Sequence, residues 1–166
     1  MPNVPDIKIK ILFEDTIVPE RAHDTDSGID LFACKFEKIY NPGDAFGNSV
    51  NDGFTNLDIA PGGRALINTG ISATVGPGYE IQIRPRSGLA LKNGITVLNT
   101  PGTIDESYRG PICVIIINHS GMVQTIKKGS KIAQMVVCPV ILSNLSIVPD
   151  LDDTERSSDG FGSTGV

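Results

Sequence analysis

The chain has 166 residues, 40% of them hydrophobic, and a net charge of −5 at neutral pH, which suits one globular domain whose core needs no staples. The negative balance argues against a general affinity for nucleic acid, and no apolar run reaches the roughly 20 residues that span a bilayer. Met1-Pro-Asn-Val-Pro-Asp6 lacks the basic start and apolar centre of a secretory signal, so a cytoplasmic location is expected.

Ile7–Leu12 alternates apolar and charged side chains and reads as a strand with one buried face. Further strands are expected at 28–33, 64–71, 79–84, 96–99, 112–118, 123–126, 131–137 and 140–143. The run Ile112–Asn118 is apolar on both faces, as in a strand covered on both sides or buried between subunits. A helical turn is predicted at 87–92, with Ser87 as N-cap and Gly94 just past its end. Eighteen Gly and eleven Pro, clustered as Asn41-Pro-Gly43, Pro61-Gly-Gly63 and Gly76-Pro-Gly78, punctuate these runs and favour an all-β, two-sheet jelly roll. Residues 36–58 are too long for a tight hairpin and read as an insertion, either a small extra hairpin or a loop. The core is placed at residues 1–149, and the polar Gly/Ser-rich stretch 150–166 reads as an arm. Cys34, Cys113 and Cys138 lie in apolar runs and are expected as buried free thiols. With two histidines and no C-x-x-C spacing, any metal should be a hard ion bound by oxygen.

Five polar clusters could carry chemistry. Asp24–Ala33 places Asp30 at a strand start, where a carboxylate needs water, a cation or donors; a turn-capping role is the alternative. Arg84-Pro-Arg86-Ser87-Gly88 brings two guanidinium groups, a hydroxyl and free N–H groups to the start of a helical turn, an anion site or else an arginine pair in surface salt bridges. Asn99-Thr-Pro-Gly-Thr-Ile-Asp105-Glu-Ser-Tyr108-Arg109-Gly110 offers an amide, a carboxylate, an aromatic ring and a guanidinium. Asp105 is the candidate base; an Asp paired with Arg109 is the alternative, and spacing does not separate the two. In Gly129–Val136, Gln134 would point opposite to Ala133 and Met135, to the side of Ile132, and must be hydrogen-bonded or ligand-facing unless it is exposed.

The fifth cluster is the tail, Arg156 to Val166. It combines Gly160, Gly162 and Gly165 with the hydroxyls of Ser163 and Thr164, the charge of Arg156 and the flat ring of Phe161. Gly160–Gly165 also fits G-x-G-x-x-G, but the dinucleotide reading needs a following helix and an acidic residue about 20 positions on, for which the sequence leaves no room. Such composition alone would favour disorder; a phosphate-binding core elsewhere reverses that.

In this order and at these separations the five clusters resemble the motifs of the trimeric dUTP pyrophosphatase (dUTPase) family, from about Val18 to Val166. Thr100–Gly110 and the Gly-Phe-Gly-Ser-Thr-Gly tail are the specific parts. The resemblance implies a jelly-roll (β-clip) subunit, a homotrimer with active sites shared between subunits, and hydrolysis of dUTP to dUMP and pyrophosphate with Mg2+. That activity would limit uracil incorporation into DNA and supply dUMP for thymidylate synthesis. It also implies roles. Asp105 would activate the attacking water, Asn99 would contact uracil on a hairpin between Gly94 and Ile104, and Tyr108 would pack under deoxyribose. Gly102, Thr103 and Ile104 would line the nucleoside, while Arg86, Ser87, Gly88 and Gln134 would contact phosphates. Asp30 would reach the metal indirectly, through water or the phosphate network. Arg156 would meet the phosphates, Phe161 would stack on uracil, and Gly162, Ser163 and Thr164 would close over the triphosphate. Ile29, Asp26 and Ser27 depart from the family's usual residues, and the 36–58 region is longer than in compact members.

Two rivals remain. A dCTP deaminase, or a bifunctional deaminase-dUTPase, shares the fold but needs a glutamate where this sequence has Ile115. A nucleotide-switched regulatory binding protein would use residues 36–58 as a partner surface.

Overall fold

Short alternating segments form the whole scaffold. A computed structural model describes residues 5–51, 53–154 and 157–158. In chain order the strands are β1 (Lys8–Ile11), β2 (Ile29–Phe32), β3 (Lys35–Tyr40), β4 (Asn48–Ser49), β5 (Asn56–Ile59), β6 (Arg64–Asn68), β7 (Ile71–Thr74) and β8 (Tyr79–Arg84). The helix α1 (Ser87–Asn93) follows, then β9 (Ile95–Val97), β10 (Gly102–Ile104), β11 (Cys113–Asn118), β12 (Gln124–Lys127) and β13 (Lys131–Pro139). The architecture is all-β, as the composition predicts.

One sheet has the order β10-β8-β13-β2 and a second the order β4-β3-β6-β11-β9; β1-β7 and β12-β5 form two-stranded ribbons. Period-two alternation sends Ile81 and Ile83 of β8, Met135 of β13 and Leu31 of β2 inward to meet Ala65, Ile67, Val114 and Ile116 of the other sheet in one apolar cluster. Fully burying side chains of this size stabilises the fold by about 1.5–3 kcal/mol each. Among the described residues, Asn118 is the most deeply buried of four buried polar residues, with Asn68, Thr69 and Ser72. Its Nδ2 donates to the Ile59 and Met122 carbonyls, both at 2.8 Å, while Oδ1 accepts from Ser120 N at 2.9 Å and Oγ at 2.8 Å. Every polar position of the amide is used, so the amide fixes a loop at little desolvation cost.

Several expectations are corrected. The run expected at 64–71 breaks at Gly70, which takes φ 79 and donates its N–H to Asn68 Oδ1 at 2.8 Å. That left-handed turn separates β6 from β7. Segment 140–143 forms no strand, and β13 instead runs to Pro139. β5 and β10 were not anticipated, while the 36–58 region does carry the extra hairpin offered as one of its two readings. β3 and β4 make a hairpin pairing Lys38 with Ser49, while β5 pairs with β12. On β11 burial alternates: Val114, Ile116 and Asn118 are buried, whereas Cys113, Ile115 and Ile117 are half-exposed. Only Cys34 of the three free thiols is buried. Among the described residues no helix is long and apolar enough to cross a membrane.

Candidate active site

Strand register builds the first half of the site. Asp30 of β2 and Arg84 of β8 both lie opposite Gln134 of the intervening β13, so the three side chains share the face away from the core. A register shift between Lys131 and Ala133 breaks the alternation. Ile132 is therefore buried, and the expected shared side for Ile132 and Gln134 does not hold.

Asp30 is almost fully enclosed and both its oxygens are engaged. Oδ1 lies 3.0 Å from Arg86 Nε and Oδ2 2.9 Å from Lys131 Nζ, and Lys131 also reaches Glu20 Oε1 at 3.4 Å. The hydrogen bond to Asp30 holds the Lys131 ammonium above its ordinary pKa, against a smaller opposing effect of desolvation. Asp30 therefore orients two cations instead of capping a turn.

Gln134 donates from Nε2 to the Pro85 carbonyl at 2.9 Å. Its Oε1 occupies the space beside Gly28, where a methyl group would sit 1.9 Å from it. Pro85 leads into Arg86, which has extended backbone and serves as the helix N-cap without a side-chain bond. Ser87 is thus the first helical residue and not the cap. α1 closes at Gly94 with φ 64, whose N–H reaches the Ala90 and Leu89 carbonyls. The two arginines do not converge as expected. Arg84 turns to Gln82 Oε1 at 2.7 Å and Cys138 Sγ at 3.3 Å, leaving Arg86 as the arginine of the site.

These elements enclose a cavity of about 600 Å³ lined by Asp30, Arg86, Ser87, Gly88, Gln134, Ser27 and Gly28, together with Ala22, Asp26, Leu89, Lys92 and Asn93. Asp26 accepts from His23 N at 3.0 Å and from its Nδ1 at 3.1 Å. A methyl group at Gly88 would touch nothing within 4 Å. No neighbouring side chain requires a glycine there, and the backbone at Gly88 is open to the cavity.

The second half lies across β8. β10 pairs with β8, Gly102 opposite Ile83 and Thr103 opposite Gln82. β9 pairs instead with β11 in the other sheet, so the segment carrying Asn99 is a crossover between sheets and not the expected hairpin. It frames a cavity of about 390 Å³ lined by Asn99, Gly102, Thr103, Ile104, Asp105 and Tyr108, with Leu66, Ile83, Val97, Pro111, Cys113 and Val114. The Tyr108 hydroxyl donates to the Pro111 carbonyl at 3.0 Å. Gly110 leaves room for that ring, since a methyl there would meet Tyr108 Oη at 2.4 Å. Burial, with a smaller effect of the Glu37 charge, pushes the Cys113 thiol up to about 11, so it is protonated and inert at neutral pH.

Asp105 is solvent-exposed. Arg109 Nη1 donates to the Glu106 and Tyr108 carbonyls at 2.5 and 2.8 Å, so the anticipated alternative, an Asp105–Arg109 pair, does not form. Among the described residues the Asp105 carboxylate has no cationic partner, and it lines the smaller cavity.

The structure therefore gathers Asp30, Arg86, Ser87, Gly88 and Gln134 in one cavity and Asn99, Gly102, Thr103, Ile104, Asp105 and Tyr108 in another, and the two have no lining residue in common. Lys92, Asn93, Leu66 and Cys113 were missed by the sequence reading. For Lys92 a signal existed, since it lies four residues after Gly88 on the same helical face. Arg156, Phe161, Gly162, Ser163 and Thr164 lie outside the described residues. Among the described residues no three His, Cys, Asp or Glu side chains converge as a metal cage.

A family model described as dUTPase matches residues 54–165. A deoxyuridine 5'-triphosphate nucleotidohydrolase of Clostridium tetani is 49% identical over 159 residues, covering 96% of this chain and 96% of that protein. A protein of the same name from Ehrlichia canis is 47% identical and covers 100% of both chains. Among solved structures, the Staphylococcus bacteriophage 80alpha dUTPase with dUPNHPP is similar with a TM-score of 0.74 at 24% identity, covering 97% of this chain and 99% of that one.

Proposed function

The chain belongs to the dUTPase family, and from that premise we propose that it hydrolyses dUTP to dUMP and pyrophosphate in a site that copies of the chain assemble between them. The observation that carries the proposal is the division of complementary chemistry between two cavities that share no residue. The larger, with Arg86, Ser87, Gly88 and Gln134, suits a phosphate chain. The smaller, with an amide at Asn99 and a ring at Tyr108, suits a base and its sugar.

Assembly as a jelly-roll homotrimer is supported by apolar surface that one copy leaves uncovered. Cys113, Ile115 and Ile117 are half-exposed on the outer face of β11, and Leu98 is exposed close by. Beyond β13, Ile141, Leu142, Leu145, Ile147 and Leu151 each keep 85% or more of their surface exposed. Apolar surface of that extent marks contact between chains.

In the reaction, Asp105 accepts a proton from water as its oxygen attacks the α-phosphorus. The bond from that phosphorus to the bridging oxygen breaks, and pyrophosphate leaves in line. Arg86 and the backbone N–H groups at Ser87 and Gly88 stabilise the charge on the phosphate chain. Gly102, Thr103 and Ile104 frame the nucleoside with Asn99, and Tyr108 excludes a 2′-hydroxyl. Magnesium, a hard cation that keeps its waters, fits a site whose carboxylate Asp30 is taken by Arg86 and Lys131. It would be held by phosphate oxygens and reach Asp30 through water, and it would supply charge neutralisation. Arg156, Phe161, Gly162, Ser163 and Thr164 would cover the bound nucleotide. A deaminase would need an acid where Ile115 stands on β11.

Incubation with dUTP, dCTP, dTTP and UTP should release pyrophosphate from dUTP alone. Asp105→Asn should slow that release by about 10²–10⁴-fold while binding of the non-hydrolysable analogue dUpNHpp persists. Unchanged turnover would remove Asp105 as the base.

A further inference from the structure

We infer that Lys92 is a further substrate-binding residue, which holds the terminal phosphate and so makes the site favour a triphosphate over shorter chains. The inference rests on the proposed hydrolysis of dUTP and adds a specificity determinant to it.

Lys92 lines the larger cavity with Arg86, Ser87 and Gly88. It stands in the last turn of α1, one turn beyond Gly88. Nothing, the Lys92 side chain included, lies within 4 Å of a would-be methyl group at Gly88, so the cavity between Lys92 and that stretch of backbone is open. The ammonium therefore has open space above the backbone that a phosphate chain would follow.

Charge points the same way. Arg86 and Lys131 are both committed to Asp30, and Asp26 adds a second carboxylate to the wall, bonded to His23. Among the described residues Lys92 makes no ion pair or side-chain hydrogen bond. Without it, the carboxylates lining the cavity would outnumber the cations, and an anionic ligand would meet net repulsion. Packing does not account for the residue either, because α1 buries none of its side chains. A cation in the last turn also complements the helix dipole. That role would be indifferent to ligand, and so it can be tested apart.

Calorimetric titration of wild type, Lys92→Met and Lys92→Arg with dUpNHpp and with dUMP, at two salt concentrations, separates these roles. Lys92→Met should weaken dUpNHpp about tenfold, the effect of one charge-assisted contact. Its salt dependence should shrink, and dUMP affinity should be unchanged. Lys92→Arg should stay near wild type, and the solution mass of all three proteins should agree. Equal dUpNHpp affinity in wild type and Lys92→Met, equal losses for both ligands, or an altered mass in Lys92→Met would overturn the inference. Failure of the wild-type protein to bind dUpNHpp would instead sink the dUTP reading itself.

Discussion

Adding one methyl group at Gly28 tests how the larger cavity is held together. In Gly28→Ala the new Cβ would lie 1.9 Å from Gln134 Oε1 and 2.9 Å from its Cδ. Real contacts do not come that close, so the Gln134 side chain must swing aside and release the Pro85 carbonyl it now holds at 2.9 Å. Losing that bond costs about 0.5–1.5 kcal/mol, and forcing the side chain off its rotamer costs a similar amount, so the sum is about 1–3 kcal/mol. For a domain of this size that lowers Tm by roughly 2–12 °C at fixed protein concentration. Arg86 follows Pro85 directly, and a displacement on the order of 1 Å in a charge-stabilising group costs up to about 10²-fold in rate, so kcat/KM for dUTP should fall by about 10–100-fold. Thermal melts and steady-state kinetics of Gly28→Ala, Gln134→Ala and the double variant check the chain of cause. With Gln134 truncated there is nothing for the methyl to strike, so Gly28→Ala should then cost almost nothing further. The same loss in both backgrounds, or none in either, would refute the argument.

Two further outcomes follow from the smaller cavity. Gly110→Ala would put a methyl 2.4 Å from Tyr108 Oη, moving the ring from its place over the Pro111 carbonyl; the ratio of dUTP to UTP turnover should fall, and an unchanged ratio would separate Tyr108 from sugar selection. The Cys113 thiol, raised by burial from 9.0 to about 11, should be alkylated at pH 8 about 100-fold more slowly than a thiol of ordinary pKa, as followed by mass spectrometry. The sign for stability is that of a raised pKa: this contribution is complete below pH 9.0 and is lost as pH rises through about 11.

Fold class was legible because alternation and turn residues are local signals, and the 79–84 strand was placed at its true ends. What failed needed long-range information. β10 is Gly-Thr-Ile, too short and too weakly apolar to read as a strand, and it exists through pairing with Ile81–Ile83. β5 likewise forms through pairing with β12, a strand the sequence did announce at 123–126. The stretch expected as a strand at 140–143 has the right composition, but only Val140 N, bonded to the Gly78 carbonyl at 2.9 Å, continues the ladder. Its apolar side chains lie open instead.

At the site, residue types were legible while their partners were not. The sequence offered two arginines, several glycines within its polar clusters and one acid on β2, each able to serve a ligand or a neighbour. Pairing across β13 commits Asp30 to Arg86 and Lys131, and Arg84 to Gln82. The glycines then separate by what surrounds them. Gly28 makes room for Gln134 and Gly110 for Tyr108, while Gly88 faces empty space. Only the last has no protein neighbour that calls for a glycine. A methyl at Gly28 or Gly110 would strike a side chain of the protein itself, whereas at Gly88 it would meet open space; under the proposed reading it should leave Tm unchanged and weaken dUpNHpp binding. Three residues that look alike in the sequence thus differ in what they touch: Gly28 and Gly110 each make room for a neighbouring side chain, and Gly88 faces the open cavity.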